Sequence, residues 1–243
     1  MRNYDEETKH RVAFIQTTLK SAHADGIIYG NSGGKDSALV GLLCKLACEN
    51  TVGLIMPCSS KRNYEIDRAD AERLAEHFGI PVRSVDLTAV KQTLAHSLDA
   101  ATVLTDRALA NMAPRLRMTA LYAVAASENR LVAGTGNRSE GHMGYFTKWG
   151  DGAYDFNPIA DLTVTEIYEF LRHLHAPDFI IEKAPSAGLY DNQTDEEELG
   201  ISYRCIDAYL LEGAGSEQDC ALIEACHEVT KHKRCLPASY GVR

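Results

Sequence analysis

Short apolar segments that alternate with amphipathic helical segments limit this chain to one class of fold. The segments that read as strands are Ile27-Ile28-Tyr29, 51–56 (TVGLIM), 81–87 (PVRSVDL) and Leu131-Val132-Ala133. A helical segment follows each of them, which is the pattern of βαβ units. The pattern predicts an α/β fold with a parallel sheet, right-handed crossovers and helices on both faces.

The predicted helices come from apolar periodicity and from capping residues. They cover 5–24, 36–48, 63–78 with Asn63 as cap, 87–99, a helix to about Ser127 with Pro114 in its first turn, and one from Thr163 that ends before Pro177. The segment 134–158 has little periodicity, and we expect a long functional loop there. The C-terminal third reads as helical, and the acidic run 195–198 predicts a solvated helix start.

Composition predicts a single domain over residues 1–243 with an acidic surface. The chain has 25 Lys and Arg against 34 Asp and Glu, a formal net charge of -9. That charge opposes binding to nucleic acids and anionic membranes, so small molecules are the expected partners. Seven cysteines without a C-x-x-C pair, a charged start and no long apolar run favour a cytoplasmic protein.

The segment after the first strand reads as a phosphate-binding loop at the ligand-binding edge of the sheet. It runs Gly30-Asn31-Ser32-Gly33-Gly34-Lys35-Asp36-Ser37. Adjacent glycines let backbone N–H groups converge on an anion, and the next helix adds its positive end. An aspartate would repel phosphate there unless a cation lay between them, so Asp36 predicts a bridging Mg²⁺. An ordinary turn with Asp36 as a helix cap is the alternative.

The segment after the fourth strand, GTGNRSEGHMGYFTKWGDGAYD over 134–155, should meet that loop at the same edge. It concentrates carboxylates, a lysine and glycines. The chain also contains, in order, GNSGGKDSALV, PRLRMTALY, KAPSAGL, QTDEEELGISY and TKHKR. These strings cover residues 27–235 and together resemble the ammonia-dependent enzymes of the NAD synthase family, in the PP-loop ATP pyrophosphatase superfamily.

The resemblance implies a Rossmann-like fold of the adenine nucleotide alpha hydrolase-like type and an amide-forming ligase. Such an enzyme converts deamido-NAD, ammonia and ATP to NAD, AMP and pyrophosphate, with Mg²⁺ as cofactor. A carboxylate is a poor electrophile, whereas its acyl adenylate carries AMP as a good leaving group for ammonia. The protein must hold two polyanions together, which is mainly a positioning and electrostatic task.

The resemblance also implies roles for individual residues. Residues 30–37 would bind ATP together with Thr135 and Ser186, and Asp36 and Glu140 would hold Mg²⁺. The implied contacts of deamido-NAD are Arg115, Lys148, Asp155, His232 and Lys233. Asp151 would hold ammonium and take its proton, so the implied catalytic residues are Asp151, Asp36 and Lys148.

Several of these residues have simpler explanations. Lys148 could be solvated surface, and His232 with Lys233 could form a disordered basic tail. Arg117 lies two positions from Arg115 on a helix, so the two do not share a face and we expect one of them to make a surface ion pair. The resemblance selects Arg115 as the ligand, which leaves Arg117 for the ion pair.

Two positions depart from the pattern of the family. Val164 stands where a lysine that contacts ATP is common, so another cation would substitute or ATP would bind more weakly. Lys35 stands where an uncharged residue is usual; it could contact a phosphate or point to solvent.

Other functions remain open at the level of sequence. Nicotinate mononucleotide could replace the dinucleotide as acceptor. A tRNA-modifying PP-loop enzyme is disfavoured by the net charge of -9 and the absence of C-x-x-C, and a non-catalytic nucleotide-binding module by the retention of Asp36, Glu140 and Asp151. A glutamine-hydrolysing form would need an amidase domain, so free ammonia or a partner is the expected nitrogen source. The resemblance also implies a homodimer.

Overall fold

A parallel four-stranded sheet lies at the centre of the computed structural model, which describes residues 2–58, 67–182 and 195–241. The strands are β1 (Gly26–Gly30), β2 (Thr51–Ile55), β3 (Val82–Ser84) and β4 (Arg130–Ala133), in the order β3-β2-β1-β4. Ile27 is in register with Thr51 on β2 and with Leu131 on β4. The parallel α/β prediction is confirmed, and the strand order changes direction between β1 and β4, where such sheets bind ligands.

The helices lie close to the predicted ranges. They are α1 (Tyr4–Ala22), α2 (Lys35–Ala47), α3 (Arg68–Phe78), α4 (Thr88–Leu98), α5 (Asp106–Ser127), α6 (Arg138–Met143), α7 (Val164–His173), α8 (Asp178–Ile181), α9 (Asp195–Leu199), α10 (Tyr203–Glu212) and α11 (Glu217–Val229), followed by a 3-10 helix at Lys231–Lys233. The predicted cap Asn63 lies outside the described residues. None of the described helices combines the length and apolar character needed to cross a membrane.

Both faces of the sheet are covered because side chains alternate along β1. Ile27 and Tyr29 belong to a core cluster that includes residues of α1, α2 and α7. Ile28 points to the opposite face and belongs to a second cluster, which includes residues of α5. All three side chains are fully buried, and the prediction of helices on both faces is confirmed.

A third apolar cluster supports the C-terminal helices at the ligand-binding edge of the sheet. It joins Met143 of α6, Val164 of α7, Ile206 of α10 and Ile223 of α11. Ser139 of α6 and Thr165 of α7 both bond Asp207 of α10, which is buried; their hydroxyls donate to it at 2.5 and 2.6 Å. This cluster fixes the position of α6.

The position of Pro114 in its helix differs from the prediction. Thr105 caps α5 by accepting a hydrogen bond from the backbone of Ala108 at 3.2 Å. The helix therefore begins at Asp106, and Pro114 lies in its interior, where it costs about 3 kcal/mol in an isolated helix. Pro114 is buried against Gly150, where an added Cβ would lie 2.9 Å from the Cβ of Pro114. Tertiary packing therefore overrides the local preference.

The segment 134–158 also differs from the predicted loop, because it contains α6. The side chain of Asn137 accepts from the backbone of Glu140 at 2.9 Å, and the side chain of Glu140 accepts from the backbone of Asn137 at 3.0 Å. This reciprocal capping box stabilises a helix too short for apolar periodicity to reveal.

Tyr29 offers a direct test of core energetics. Its hydroxyl is buried and has no hydrogen-bond partner among the described residues, and burial raises the pKa of this phenol above its ordinary value. Because Tyr29→Phe removes an unsatisfied polar group, we expect the free energy of unfolding to stay unchanged or rise by about 1 kcal/mol.

The control for Tyr29 is Tyr203→Phe, because the Tyr203 hydroxyl donates to Asp195 at 3.2 Å. This control should lower the free energy of unfolding by about 1–2 kcal/mol. Urea denaturation gives the free energy of unfolding of both variants. A clear loss of stability in Tyr29→Phe would contradict the conclusion that the Tyr29 hydroxyl is buried without a hydrogen bond.

Candidate functional site

The loop between β1 and α2 has the geometry of an anion-binding turn. Asn31 fixes its start, since its side-chain oxygen accepts from the backbone of Gly33 at 3.2 Å and its amide donates to the carbonyl of Ala71 at 3.1 Å. The hydroxyls of Ser32 and Ser37 lie 3.1 Å apart. Both serines line a cavity at the start of α2, where the first N–H groups of a helix are available to an anion.

Gly33 is required by the conformation of this turn. Its φ is +70°, and a Cβ at this position would lie 2.4 Å from the carbonyl oxygen of Asp67. Only glycine meets both conditions without strain, which explains one residue of the adjacent glycine pair seen in the sequence.

Asn137 connects the two carboxylates that were predicted to hold a cation. Its side-chain amide donates to Asp36 Oδ1 at 3.2 Å, and its backbone N–H donates to Glu140 Oε2 at 3.0 Å. Asp36 is in the first turn of α2 and Glu140 in the first turn of α6. Two helices that follow adjacent strands therefore bring acids 104 positions apart in the sequence into one cluster.

The donor chemistry of this pair fits a magnesium ion. Mg²⁺ is commonly held by one or two carboxylates, with waters and substrate phosphates completing its octahedron. Among the described residues, no group of three or more His, Cys, Asp or Glu side chains could hold a metal on its own. Two acids beside a phosphate loop match a cation that binds together with a nucleotide.

Lys35 does not point to solvent, which was one of the two alternatives for it. Its side chain is 6% exposed, and its Nζ lies 2.8 Å from Asp36 Oδ2 and 5.7 Å from the ring centre of Tyr203. Burial lowers the pKa of Lys35, but the charges of Asp36 and Glu140 outweigh burial and leave that pKa above its ordinary value. The lysine is a buried, paired cation.

The same surroundings favour the neutral form of Glu140, whereas they favour the charged form of Lys35. Burial, followed by the charge of Asp36, raises the pKa of the Glu140 carboxyl well above its ordinary value. A divalent cation would reverse this effect because it favours the ionised carboxylate.

A second wall of the cavity carries Asp151. The backbone N–H of Thr147 donates to Asp151 Oδ1 at 2.9 Å, while the side chain stays open to the cavity. Desolvation by the surrounding wall raises the pKa of this carboxyl, and the bond from Thr147 offsets part of the rise. A carboxylate with a raised pKa is better suited to accept a proton.

The basic residues near the C-terminus are ordered parts of this wall. Lys233 Nζ donates to the carbonyls of Gly144 and Phe146 at 2.7 and 2.8 Å. Lys148 Nζ donates to the carbonyl of His232 at 2.7 Å. The cavity is lined by Lys148, His232 and Lys233. These contacts contradict the two simpler explanations, in which Lys148 is solvated surface and His232 with Lys233 form a disordered tail.

Arg115 and Arg117 both line the cavity, contrary to the prediction of a surface ion pair for Arg117. Arg117 Nε donates to the carbonyl of Met56, just beyond β2, at 3.0 Å, and burial lowers its pKa. Helical spacing places the two Cα atoms on different faces of α5, but a long guanidinium side chain extends around the helix to the cavity. Arg115 is exposed, and its Nε lies 3.4 Å from the carbonyl of Lys148.

Four other positions complete the comparison with the sequence. Thr135 lines the cavity. Asp155 is not among the lining residues; it accepts from the hydroxyl of Tyr122 at 3.1 Å and from the backbone of Val132 at 2.7 Å. Ser186 lies outside the described residues. Val164 is buried in the third apolar cluster and provides no charge.

The prediction that the acidic run 195–198 forms a solvated helix start is wrong for Asp195. Asp195 is buried and accepts from the hydroxyls of Tyr203 and Tyr145 at 3.2 and 3.4 Å. It lines the cavity together with Glu198. A run of four acids gives no indication of which one turns inward, since that depends on tyrosines from other segments.

The cavity has a volume of about 860 Å³, near the upper end of the range for small-molecule sites. Its lining includes residues of the turn between β1 and α2, Asp151 and several cationic side chains. The lining cations include Arg68, Arg107, Arg115, Arg117, Lys148 and Lys233. The same lining contains the carboxylates Asp36, Asp67, Glu140, Asp151, Asp195 and Glu198, so positive and negative side chains nearly balance in the pocket although the whole chain is acidic.

Sequence reasoning missed Asn137, Arg117 and Asp195 as parts of this site. A signal for Asn137 was present, because Asn-x-x-Glu at 137–140 is a capping-box pattern. Neither Arg117 nor Asp195 belongs to a local pattern that would distinguish it from a surface residue.

The chain is similar to known proteins over nearly its whole length. Residues 7–237 match the family described as NAD synthase. The NH(3)-dependent NAD(+) synthetase of Carboxydothermus hydrogenoformans is 47% identical over 238 residues, 97% of each chain. The structure of NMN synthetase from Francisella tularensis has a TM-score of 0.93 at 33% identity and covers 100% of both chains. An NH3-dependent NAD synthetase from Campylobacter jejuni has a TM-score of 0.79 at 31% identity, over 98% of this chain and 99% of that one.

Asn137→Ala tests whether this residue does more than cap a helix. Loss of an N-cap alone costs about 1 kcal/mol, and the variant also removes the amide that donates to Asp36, while the backbone N–H that donates to Glu140 is kept. We therefore expect a loss of about 2–4 kcal/mol in the free energy of unfolding.

The matched control is Ser216→Ala, which removes the N-cap of α11 at an exposed position. Urea denaturation of both variants gives the comparison. Equal losses would show that Asn137 acts only as a cap.

Proposed function

The chain belongs to the NAD synthase family, and from that premise we propose an ATP-dependent ligase that converts the carboxylate of deamido-NAD to an amide with ammonia. The observation that supports this most directly is the joining of Asp36 and Glu140 through Asn137. This pair lies on the same cavity as Asp151. One pocket thus contains acids suited to a phosphate-bound cation and a separate carboxylate suited to handle a proton.

The first step activates the acceptor. A carboxylate oxygen of the nicotinate ring attacks the α-phosphorus of ATP, the bond from that phosphorus to the bridging oxygen breaks, and pyrophosphate leaves. Ser32, Ser37 and the N-terminus of α2 bind the departing phosphates. Mg²⁺ held by Asp36 and Glu140 would neutralise charge on the phosphate oxygens.

The second step forms the amide. The nitrogen of ammonia attacks the acyl carbon, the bond to the AMP oxygen breaks, and the nitrogen loses a proton. Asp151 would hold ammonium and accept the proton that converts it to ammonia, and the proton lost after the attack would leave with the AMP phosphate or pass to solvent. Arg115, Lys148, His232 and Lys233 provide the polar wall for the acceptor, whose phosphates require cationic partners.

We assign Ser186 and Thr135 to the proposed ATP site. We assign Asp155 to the proposed site of the acceptor. Asp155 does not line the cavity within a single chain, so its role would require the acceptor to extend beyond that cavity. Asp155 is exposed, which is compatible with a ligand that continues along the surface.

A mononucleotide acceptor is the second candidate. The support for it is the TM-score of 0.93 with the Francisella tularensis NMN synthetase, against 0.79 with the Campylobacter jejuni NAD synthetase. The chemistry is unchanged, because nicotinate mononucleotide carries the same carboxylate on the same ring. The acceptor would then need no contact beyond the cavity, and Asp155 would have no ligand to bind.

We also propose a homodimer in the cytoplasm. All seven cysteines are free thiols, as expected in a reducing compartment. In α4, no residue is buried, and Val90 and Leu94 are 49% and 40% exposed. An apolar helix face of this kind suits a contact with a second copy of the chain.

A competition assay tests the proposed reaction. The purified protein receives ATP, Mg²⁺, ammonium and equal amounts of deamido-NAD and nicotinate mononucleotide, and mass spectrometry follows NAD, NMN and AMP. NAD as the main product supports the first candidate and NMN the second. Formation of neither product, or pyrophosphate release that requires tRNA, would overturn both.

Asp36→Asn is the matched loss-of-function variant, since it keeps the volume of the side chain and removes a cation ligand. We expect pyrophosphate release to fall by about 100-fold or more.

Asp151→Asn separates the two steps. Amide formation should slow by about 100-fold, while adenylation, measured as pyrophosphate release in the first turnover, should change little. Rapid-quench measurement of both steps gives the comparison, with Glu212→Gln on the exposed face of α10 as control. Equal slowing of both steps would remove Asp151 from the amidation step.

A further inference from the structure

Lys35 is a buried cation at the start of α2, next to the proposed cation ligand Asp36. Its Nζ lies 2.8 Å from Asp36 Oδ2, and the side chain is 6% exposed. It also lies near Glu140, and its Nζ is 5.7 Å from the ring centre of Tyr203. An ammonium group in such a place is stable only when paired, because burial removes its hydration.

The acids around Lys35 repel one another when no metal is present. Asn137 holds Asp36 and Glu140 in one cluster, and the buried Asp195 acts on Glu140 at longer range. Neutral donors such as Asn137 orient these carboxylates but add no compensating charge. Lys35 is the ammonium group in direct contact with the cluster, and it supplies that charge.

We propose that Lys35 is a positioning residue: its ammonium group takes the place of the divalent cation before the nucleotide arrives, holds Asp36 in place, and competes with metal for Asp36 Oδ2. This inference rests on the proposed role of Asp36 and Glu140 as metal ligands. The contact between Lys35 Nζ and Asp36 Oδ2 supports this inference. The lysine occupies a carboxylate oxygen that would otherwise be open to a metal ion.

The competition has a consequence for the order of binding. A metal ion that arrives alone must displace the ammonium group of Lys35 from the carboxylate oxygen to which it donates, Asp36 Oδ2. When a nucleotide fills the adjacent phosphate loop, its phosphate oxygens offer Lys35 a new partner. Binding of the metal alone should therefore be weak, and the nucleotide should strengthen it.

The test measures binding of Mg²⁺ alone, without nucleotide, by titration calorimetry. Lys35→Gln and Lys35→Met remove the charge and keep most of the side-chain volume. Each should bind Mg²⁺ on the order of tenfold more tightly than the unmodified protein, because a like charge has been removed from the cation site. Lys45→Gln is the control, since Lys45 also lies on α2 beside an acid, Glu49, but away from the cavity.

Thermal unfolding provides a readout that does not depend on activity. In EDTA, both variants at Lys35 should melt about 2–4 °C below the unmodified protein, and saturating Mg²⁺ should restore most of that difference. In EDTA, the double variant Lys35→Gln/Asp36→Asn should melt higher than Asp36→Asn alone, which leaves the lysine buried without its carboxylate partner.

Two results would overturn the proposal. One is an affinity for Mg²⁺ that is the same with and without the lysine; the other is a loss of melting temperature that Mg²⁺ does not reverse, which would indicate packing alone. The assay of amide formation keeps the proposals distinct. A fully active protein whose Lys35 variants behave in either of these ways contradicts only the role of Lys35. An inactive protein whose variants show the predicted metal dependence contradicts only the proposed reaction.

Discussion

The hydrogen bonds of Asn137 are the constraint on which the site depends. They join an acid at the start of α2 to an acid at the start of α6, and each of these helices follows a strand of the same parallel pair. Parallel strands end at the same edge of the sheet, so the helices that follow them begin close together. The side-chain amide and the backbone N–H of one buried asparagine can then orient one acid each. In an antiparallel pair the two helix starts would lie at opposite edges.

Charge is distributed unevenly in this protein, and the distribution resolves an apparent conflict. The whole chain has a formal net charge of -9, yet its reaction would bring together two polyanionic substrates. The cavity contains arginines from two helices and lysines from the loop and the C-terminal segment, and a bound cation would offset the charges of Asp36 and Glu140 among the acids that line it. Cations next to a low-dielectric wall act more strongly on a bound phosphate than distant surface acids do, because solvent screens the latter.

The helix that carries Glu140 is held from outside the sheet. Asp207 of α10 accepts from Ser139, next to Glu140, and from Thr165 of α7. The third apolar cluster packs behind these contacts. The C-terminal helices therefore serve the chemistry indirectly, by fixing α6 relative to α2.

Sequence alone determined the alternation of strands and helices, the glycine-rich turn after β1 and the identity of many polar residues around the cavity. These features depend on local periodicity, on turn residues and on short strings whose side chains act near one another in the chain. It also placed Asp36, Glu140 and Asp151 at one edge, because the rule for parallel sheets requires no knowledge of packing.

Only the tertiary structure decided which polar groups turn inward. Pro114 lies inside α5 because Gly150 leaves room for it, Asp195 is buried because two tyrosines from other segments reach it, and Lys35 points into the acid cluster rather than to solvent. In each case the free energy comes from a partner distant in the chain, and a contact of that kind leaves no periodic trace in the sequence.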